Sequence, residues 1–234
     1  MKTVAIVLSG GSGRRMNSDI PKQYMDLLSK PVIYYSLAAF DKSRVDEIVL
    51  VVGKGDIPYV RDEVLAPFAF GKKIIFTEGG RERADSVLSG LTACSDADYV
   101  LIHDGARPLV TPQMIDRMME DVFREQACVA AVPVKDTLKY SDDGTYVDHT
   151  VDRKTLMAMQ TPQAFRRSLL ADAYRAMEER GEEASTAAIT DDAMLIELFT
   201  DRKVFLSEGD YGNIKITTPE DLIMAEIFLQ KRAI

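Results

Sequence analysis

Cysteine is scarce: Cys94 and Cys128 are the only two in 234 residues, far apart and without a CxxC pair, so neither a disulfide framework nor a thiolate metal site is implied. Both read as small core residues. Histidine is equally sparse, with His103 and His149 alone, which excludes a multi-histidine zinc site and leaves oxygen-ligated Mg²⁺ as the metal to expect. No apolar run approaches the roughly 20 residues that span a bilayer. Met1 to Leu8 passes straight into a glycine loop, without a basic region or cleavage site, so a cytoplasmic protein is expected. Positive charge is also short: the net charge is −8 and the calculated pI about 4.9, the wrong sign for gripping nucleic acid through a broad basic face. Any anion must therefore meet a local basic cluster, and one exists at Arg14, Arg15 and Lys22.

With 46% hydrophobic and 28% charged residues the chain can bury a sizeable core, and a single domain over 1–234 is expected. Short β-branched runs alternate with amphipathic stretches, the pattern of an α/β fold: a Rossmann-like, mostly parallel twisted sheet with helices on both faces. Strands are predicted near 4–8, 47–52, 73–77, 99–102, 128–133 and 203–207. Helices are predicted over 32–40, 83–93, 112–125, 167–179, 191–198 and 219–231. The last has the clearest start, with Thr218 able to cap, Pro219 at the first position, and Glu220 and Asp221 complementing the dipole. Lys215 lies just before it, where a strand end is expected. The stretch 136–158 breaks the alternation: it is polar and carries the turn Ser141-Asp142-Asp143-Gly144, so it reads as a protruding β-hairpin arm, with a second copy of the chain as its packing partner.

The segment Leu8-Ser9-Gly10-Gly11-Ser12-Gly13-Arg14-Arg15-Met16 follows the first strand, where a doubly wound sheet presents its ligand crevice. Glycines there let a backbone turn tightly and bring N–H groups against an anion; a plain strand-to-helix turn is the blander alternative. A P-loop is excluded because no Gly-Lys-Ser/Thr ending follows, and a dinucleotide fingerprint because Met16 stands where its third glycine belongs. A serine-hydrolase elbow would need glycine at Arg14. Asp104 follows a predicted strand, at a carboxyl end where a carboxylate reaches Mg²⁺ or a substrate hydroxyl or else caps a turn. Arg107 before Pro108 is a substrate cation or a solvated loop charge. His103 reads as a packed strand-end residue, and Asp191 and Asp192 as helix caps after Thr190.

What remains, GGxGxRM followed by Pro21-Lys22-Gln23, resembles the signature of nucleotidyltransferases that activate sugars and sugar alcohols. Further runs sharpen the likeness: Glu78-Gly79-Gly80-Arg81-Glu82-Arg83-Ala84-Asp85-Ser86-Val87, His103-Asp104-Gly105-Ala106-Arg107-Pro108, Pro133-Val134-Lys135-Asp136-Thr137, Thr150-Val151-Asp152-Arg153, Thr161-Pro162-Gln163, Thr190-Asp191-Asp192 and Asn213-Ile214-Lys215. In this order they resemble the 2-C-methyl-D-erythritol 4-phosphate cytidylyltransferase family of the non-mevalonate isoprenoid pathway.

The resemblance implies that Arg15, Lys22 and Lys215 act on the phosphates during catalysis. It implies a nucleotide pocket from Ser9, Gly10, Gly11, Gly13, Gly80, Arg81 and Ser86. It also implies a substrate site from Asp104, Arg107, Thr137, Thr161 and, on the neighbouring subunit's arm, Arg153. CTP, a small alcohol phosphate and Mg²⁺ at Asp104 would be the ligands, and a homodimer the assembly. Two positions depart from the family's pattern: Ser9-Gly10 stands where many relatives have two alanines, and Arg81 where an acidic residue is often found. The competing readings are a ribitol 5-phosphate cytidylyltransferase, which shares the Pro-Lys-Gln, Asp-x-x-Arg-Pro and Asn-Ile-Lys runs, a dehydrogenase, and a non-catalytic nucleotide-binding module. Thr150 to Arg153 and Asp136 to Lys139 favour methylerythritol phosphate.

Overall fold

Alternation in the first strand decides the layering. In β1 (Thr3–Ser9), Ala5 and Val7 turn to one side of the sheet, and Val4 and Ile6 to the other; all four are fully buried. The computed structural model describes residues 1–11, 16, 20–180 and 189–232. Along these run β1, the short pair β2 (Asp26–Leu27) and β3 (Lys30–Pro31), α1 (Val32–Asp41), β4 (Glu47–Val52), the short α2 (Ile57–Tyr59), β5 (Ile74–Glu78), α3 (Arg83–Ala93), β6 (Tyr99–Asp104), α4 (Pro112–Glu125), β7 (Ala127–Pro133), β8 (Lys139–Tyr140), β9 (His149–Thr150), β10 (Met157–Arg166), α5 (Arg167–Glu179), α6 (Asp192–Phe199), β11 (Phe205–Glu208) and α7 (Pro219–Arg232).

The main sheet has the order β11-β7-β10-β6-β1-β4-β5, and β10 alone runs antiparallel to its neighbours. Helices α1 and α4 cover the face of Ala5 and Val7; α3, α5 and α6 cover the face of Val4 and Ile6. This is the Rossmann-like α/β fold that the sequence predicts. The chain leaves β1 for β4 and β5 on one side, then returns to β6 on the other. The order therefore reverses at β1 and β6, and the crevice beyond their carboxyl ends is the ligand position of such sheets.

Local chemistry explains the helix starts. Thr111 accepts from the Met114 N–H at 3.2 Å to cap α4, and Asp191 accepts from the Met194 N–H at 2.9 Å to cap α6. At α7 the expected Pro219 start holds, but the cap bonds run to Asp221, whose carboxylate accepts the backbone N–H groups of Thr217 and Thr218 at 2.8 and 2.9 Å. Lys215 is not at a strand end: β11 stops at Glu208, and 213–217 is an extended connection tied to the β6 loop by Ile216 N–H to the Ala106 carbonyl at 2.8 Å.

Strand β10 is absent from the sequence expectation. A proline inside a central strand removes a ladder donor, and the run Met-Ala-Met-Gln-Thr-Pro has no clear alternation. The sheet accommodates it by a register shift against β7 between Met159 and Gln163, with Pro162 in the break. The polar stretch before it does form a hairpin, β8 pairing antiparallel with β9.

Candidate active site

A cavity of about 240 Å³ opens beyond the carboxyl ends of β1 and β6, lined by residues of five separate segments. Ser9, Gly10 and Gly11 form one wall, Gly80 to Arg83 with Ser86 the opposite one, and Lys22, Asp104 and Lys215 close it. Ser9 is buried and its hydroxyl is engaged with the Tyr24 hydroxyl at 3.1 Å, so what it offers a ligand is backbone. Gln23 donates to the carbonyls of Ser9 at 2.6 Å and Gly11 at 3.0 Å, tying the loop to the Pro21-Lys22-Gln23 turn. Neither Gly10 nor Gly11 needs glycine's backbone freedom: a Cβ on Gly10 would meet only ordinary contacts, and one on Gly11 nothing. Their value is an open wall rather than a turn, which revises the tight-turn expectation. Gly13 and Arg15 lie outside the described residues.

The opposite wall is fixed by helix chemistry. Asp85 in the first turn of α3 accepts the Glu82 N–H at 3.0 Å, and a Cβ on Gly80 would fall on the Cβ of Asp85, so only glycine passes there. Arg81 lies on the cavity rim, exposed.

Cations converge on Asp104. Lys215 Nζ stands 2.7 Å from Oδ2, Arg83 Nε 3.6 Å from Oδ1, and Arg107 Nε 3.9 Å from Oδ2. Burial alone would raise the Asp104 carboxyl, but Lys215, Arg83 and Arg107 outweigh it and hold the group well below its ordinary range. The carboxylate form is therefore favoured, and three cations set its orientation from both oxygens. Lys22 Nζ donates to the Ile216 carbonyl at 2.8 Å, so Lys22 and Lys215 flank the same strip of chain.

Arg83 is a residue the sequence reading passed over, although it stands inside a quoted run. Its guanidinium reaches fully buried Asp192 at 2.7 Å, and Asp192 also receives the Tyr174 hydroxyl at 3.3 Å. Asp192 is therefore no helix cap; Asp191 fills that role alone. Arg107 turns inward too, donating to the Asn213 carbonyl at 2.9 Å, which replaces the solvated alternative. Thr161 sits behind Asp104 and accepts its N–H at 3.0 Å. Thr137 and Arg153 do not reach this cavity within one chain: with Thr150 to Lys154 they line a separate cleft on the arm, where Arg153 donates to the Lys135 carbonyl. Among the described residues no trio of His, Cys, Asp or Glu could cage a metal ion.

A reversed Rossmann-like sheet with two lysines and a glycine wall at its switch point is the architecture of a nucleotidyltransferase. Residues 3–231 match the family profile of IspD, 2-C-methyl-D-erythritol 4-phosphate cytidylyltransferase, and the chain belongs to that family. The enzyme of that name from Lachnospira eligens is 51% identical over 227 residues, covering 97% of this chain and 98% of its own. The one from Lachnoclostridium phytofermentans is 47% identical over 230 residues, covering 98% and 97%. Among solved structures, the 4-diphosphocytidyl-2C-methyl-D-erythritol synthase of Anaerococcus prevotii superposes with a TM-score of 0.82 at 33% identity, over 98% of each chain. The Thermus thermophilus cytidylyltransferase gives 0.79 at 30% identity, over 98% of this chain and all of that one.

Proposed function

We propose that this chain transfers CMP from CTP to 2-C-methyl-D-erythritol 4-phosphate, giving 4-diphosphocytidyl-2-C-methyl-D-erythritol and pyrophosphate in the non-mevalonate route to isoprenoids. The observation that carries the reading is Lys22 and Lys215 in one cavity with the Gly10-Gly11 wall. The ribitol phosphate alternative is not favoured, since the family profile and the near relatives are methylerythritol phosphate enzymes.

The nucleophile is an oxygen of the acceptor's phosphate, already anionic near neutral pH because a phosphate monoester has its second pKa at about 6. It bonds to the α-phosphorus of CTP while the bond to the β-phosphate oxygen breaks and the electron pair leaves with pyrophosphate. No proton has to be removed, so no general base is required. The protein's work is to align two anions and meet the charge that grows on the transferring phosphorus. Lys22 and Lys215 supply that charge from two sides, and Arg15 joins them on the strength of the family pattern. Gly80, Arg81 and Ser86 hold the cytidine end, and Asp104 with Arg107 the acceptor.

Mg²⁺ fits here as an ion carried in by the triphosphate, because among the described residues the acidic groups lining the cavity are Glu82 and Asp104 and the latter already faces three cations. Asp104 is its candidate protein oxygen, and the ion when bound supplies positive charge against the leaving pyrophosphate.

A homodimer built through the 136–158 arm completes the proposal. Tyr146 and Val147 on the arm are 75% and 61% exposed, and an isolated two-stranded hairpin is marginal in water, so a second chain is its natural support. Arg153 then reaches the acceptor site of the partner. Arg153→Ala is expected to raise KM for the alcohol phosphate, and mixing it with Arg15→Ala chains should restore some sites; failure to complement places the whole site in one chain. A cytoplasmic location belongs to this reading, supported by the soluble nucleotide and alcohol phosphate it would use; no described helix is long and apolar enough to cross a membrane.

The deciding experiment measures pyrophosphate release for CTP, UTP, ATP and GTP, each against methylerythritol phosphate, ribitol phosphate and common sugar phosphates. Release should require CTP with methylerythritol phosphate. Preference for ribitol phosphate would overturn the substrate, and indifference to CTP the reaction.

A further inference from the structure

His103 is fully buried at the end of β6, next to Asp104, with its ring against Phe40 at 5.3 Å. Its two nitrogens have different partners. Nε2 lies 3.2 Å from the Arg107 carbonyl, and Nδ1 lies 3.1 Å from the Thr161 hydroxyl oxygen. A carbonyl only accepts, so the proton of a neutral ring must sit on Nε2. Nδ1 is then an acceptor, and the Thr161 hydroxyl donates to it. That hydroxyl in turn accepts the Asp104 N–H. Among the described residues Nδ1 is the acceptor the Thr161 hydroxyl hydrogen meets, which keeps that nitrogen unprotonated and the ring neutral.

These bonds close on themselves. Arg107 donates from its side chain to the Asn213 carbonyl at 2.9 Å, and the Asn213 amide donates to the Thr161 carbonyl at 2.8 Å. Thr161 returns to His103, and His103 to Arg107. The ring thus joins three elements distant in sequence: the end of β6, the break in β10 and the connection that carries Lys215. The ring adjoins two residues that line the cavity, Asp104 and Lys215, and holds Arg107, which faces Asp104. Asp104 follows His103, Lys215 lies two residues after Asn213, and the direction of the Arg107 side chain is set by the Asn213 carbonyl.

We propose that His103 is a positioning residue for cytidylyl transfer, holding Asp104, Arg107 and Lys215 in register by accepting the Thr161 hydroxyl proton at Nδ1 and donating from Nε2 to the Arg107 carbonyl. The inference rests on the cytidylyltransferase reading and adds two consequences to it. The Thr161 hydroxyl hydrogen is committed inside the protein, so Thr161 serves the acceptor through Asp104 rather than by donating to the acceptor itself. A misplacement of Asp104, Arg107 and Lys215 should fall mainly on the acceptor alcohol phosphate, because the Gly10-Gly11 and Gly80 walls do not belong to the ring.

Two measurements test it. With only two histidines in the chain, ¹⁵N-edited spectra of the intact wild-type protein at neutral pH resolve both rings, exposed His149 serving as reference. His103 should show one protonated nitrogen, Nε2, and one unprotonated, Nδ1; the opposite tautomer or a doubly protonated ring would overturn the proposal. Kinetically, His103→Gln keeps a donor towards the Arg107 carbonyl and loses the acceptor for Thr161, and His103→Asn does the reverse. Each is expected to raise KM for the alcohol phosphate about 10- to 100-fold with a smaller change for CTP, the size of effect a displaced positioning group produces. Adding His103→Gln to Thr161→Val should lose little beyond Thr161→Val alone, since that single change already breaks the bond to His103 as well as the one from the Asp104 N–H. Fully additive losses, or a KM for the alcohol phosphate that stays at the wild-type value, would sink the role. Should the wild-type protein transfer nothing from CTP, the reaction assigned above fails instead, which the tautomer measurement does not depend on.

Discussion

Lys22→Ala is expected to lower turnover about 100-fold or more, as removal of one preorganised donor to a transition-state charge does in other enzymes. Pro21 holds the backbone ahead of Lys22 in an extended conformation, and the 3₁₀ turn that follows is pinned through Gln23 to the glycine loop. The ammonium is therefore delivered to the cavity from a braced turn, not from a free surface stem, and it touches the segment that carries Lys215. Its contribution should appear in turnover more than in the KM for CTP, because the charge it meets is larger in the transition state than in the bound triphosphate. Rapid-quench measurement of the chemical step, beside a thermal melt that shows the fold intact, checks this. Turnover at the wild-type rate in a folded variant would remove Lys22 from catalysis.

Arg83→Met is expected to destabilise the fold by about 3–5 kcal/mol, the usual result of stripping one partner from a buried ion pair. Asp192 is fully buried, and without the guanidinium at 2.7 Å its carboxylate keeps the Tyr174 hydroxyl at 3.3 Å. In a chain of this size that loss is a fall in melting temperature of roughly 6 to 20 °C. Replacing both partners, Arg83→Met with Asp192→Leu, should recover much of the stability, because no charge is then left alone in the core. Activity should not return with it, since Arg83 also faces Oδ1 of Asp104 at 3.6 Å and lines the cavity. Urea unfolding of the two variants beside transfer assays reads both halves; a single variant as stable as the wild type would show that Asp192 finds another partner.

The positions of β1, β4 and β7, and of helices α3, α4 and α5, were legible from the chain alone. Their signals are local: buried β-branched runs, periodic apolar faces, and caps such as Thr111 and Asp191 that act within one turn. Lys22 was legible as a candidate because a basic cluster beside a glycine loop stands out in a chain of net charge −8, whereas Lys215 and the substrate role of Asp104 came from the resemblance to a known family. Strand β10 was hidden by Pro162 and the break in its register, which only pairing with β6 and β7 makes tolerable. The bond between Arg83 and Asp192 joins residues 109 apart, and no local pattern marks either as the other's counter-charge.

The amino-acid sequence by itself determined the order of strands and helices, the glycine loop, and the kinds of side chain available to hold phosphates, because backbone preference and side-chain chemistry act over a few residues. Only the tertiary structure decided which of those side chains meet. It set Lys215 on Asp104, turned Arg107 towards Asn213, and enclosed His103 between Arg107 and Thr161. Such contacts depend on burial, which removes water as the alternative partner and forces each polar group to find another within reach.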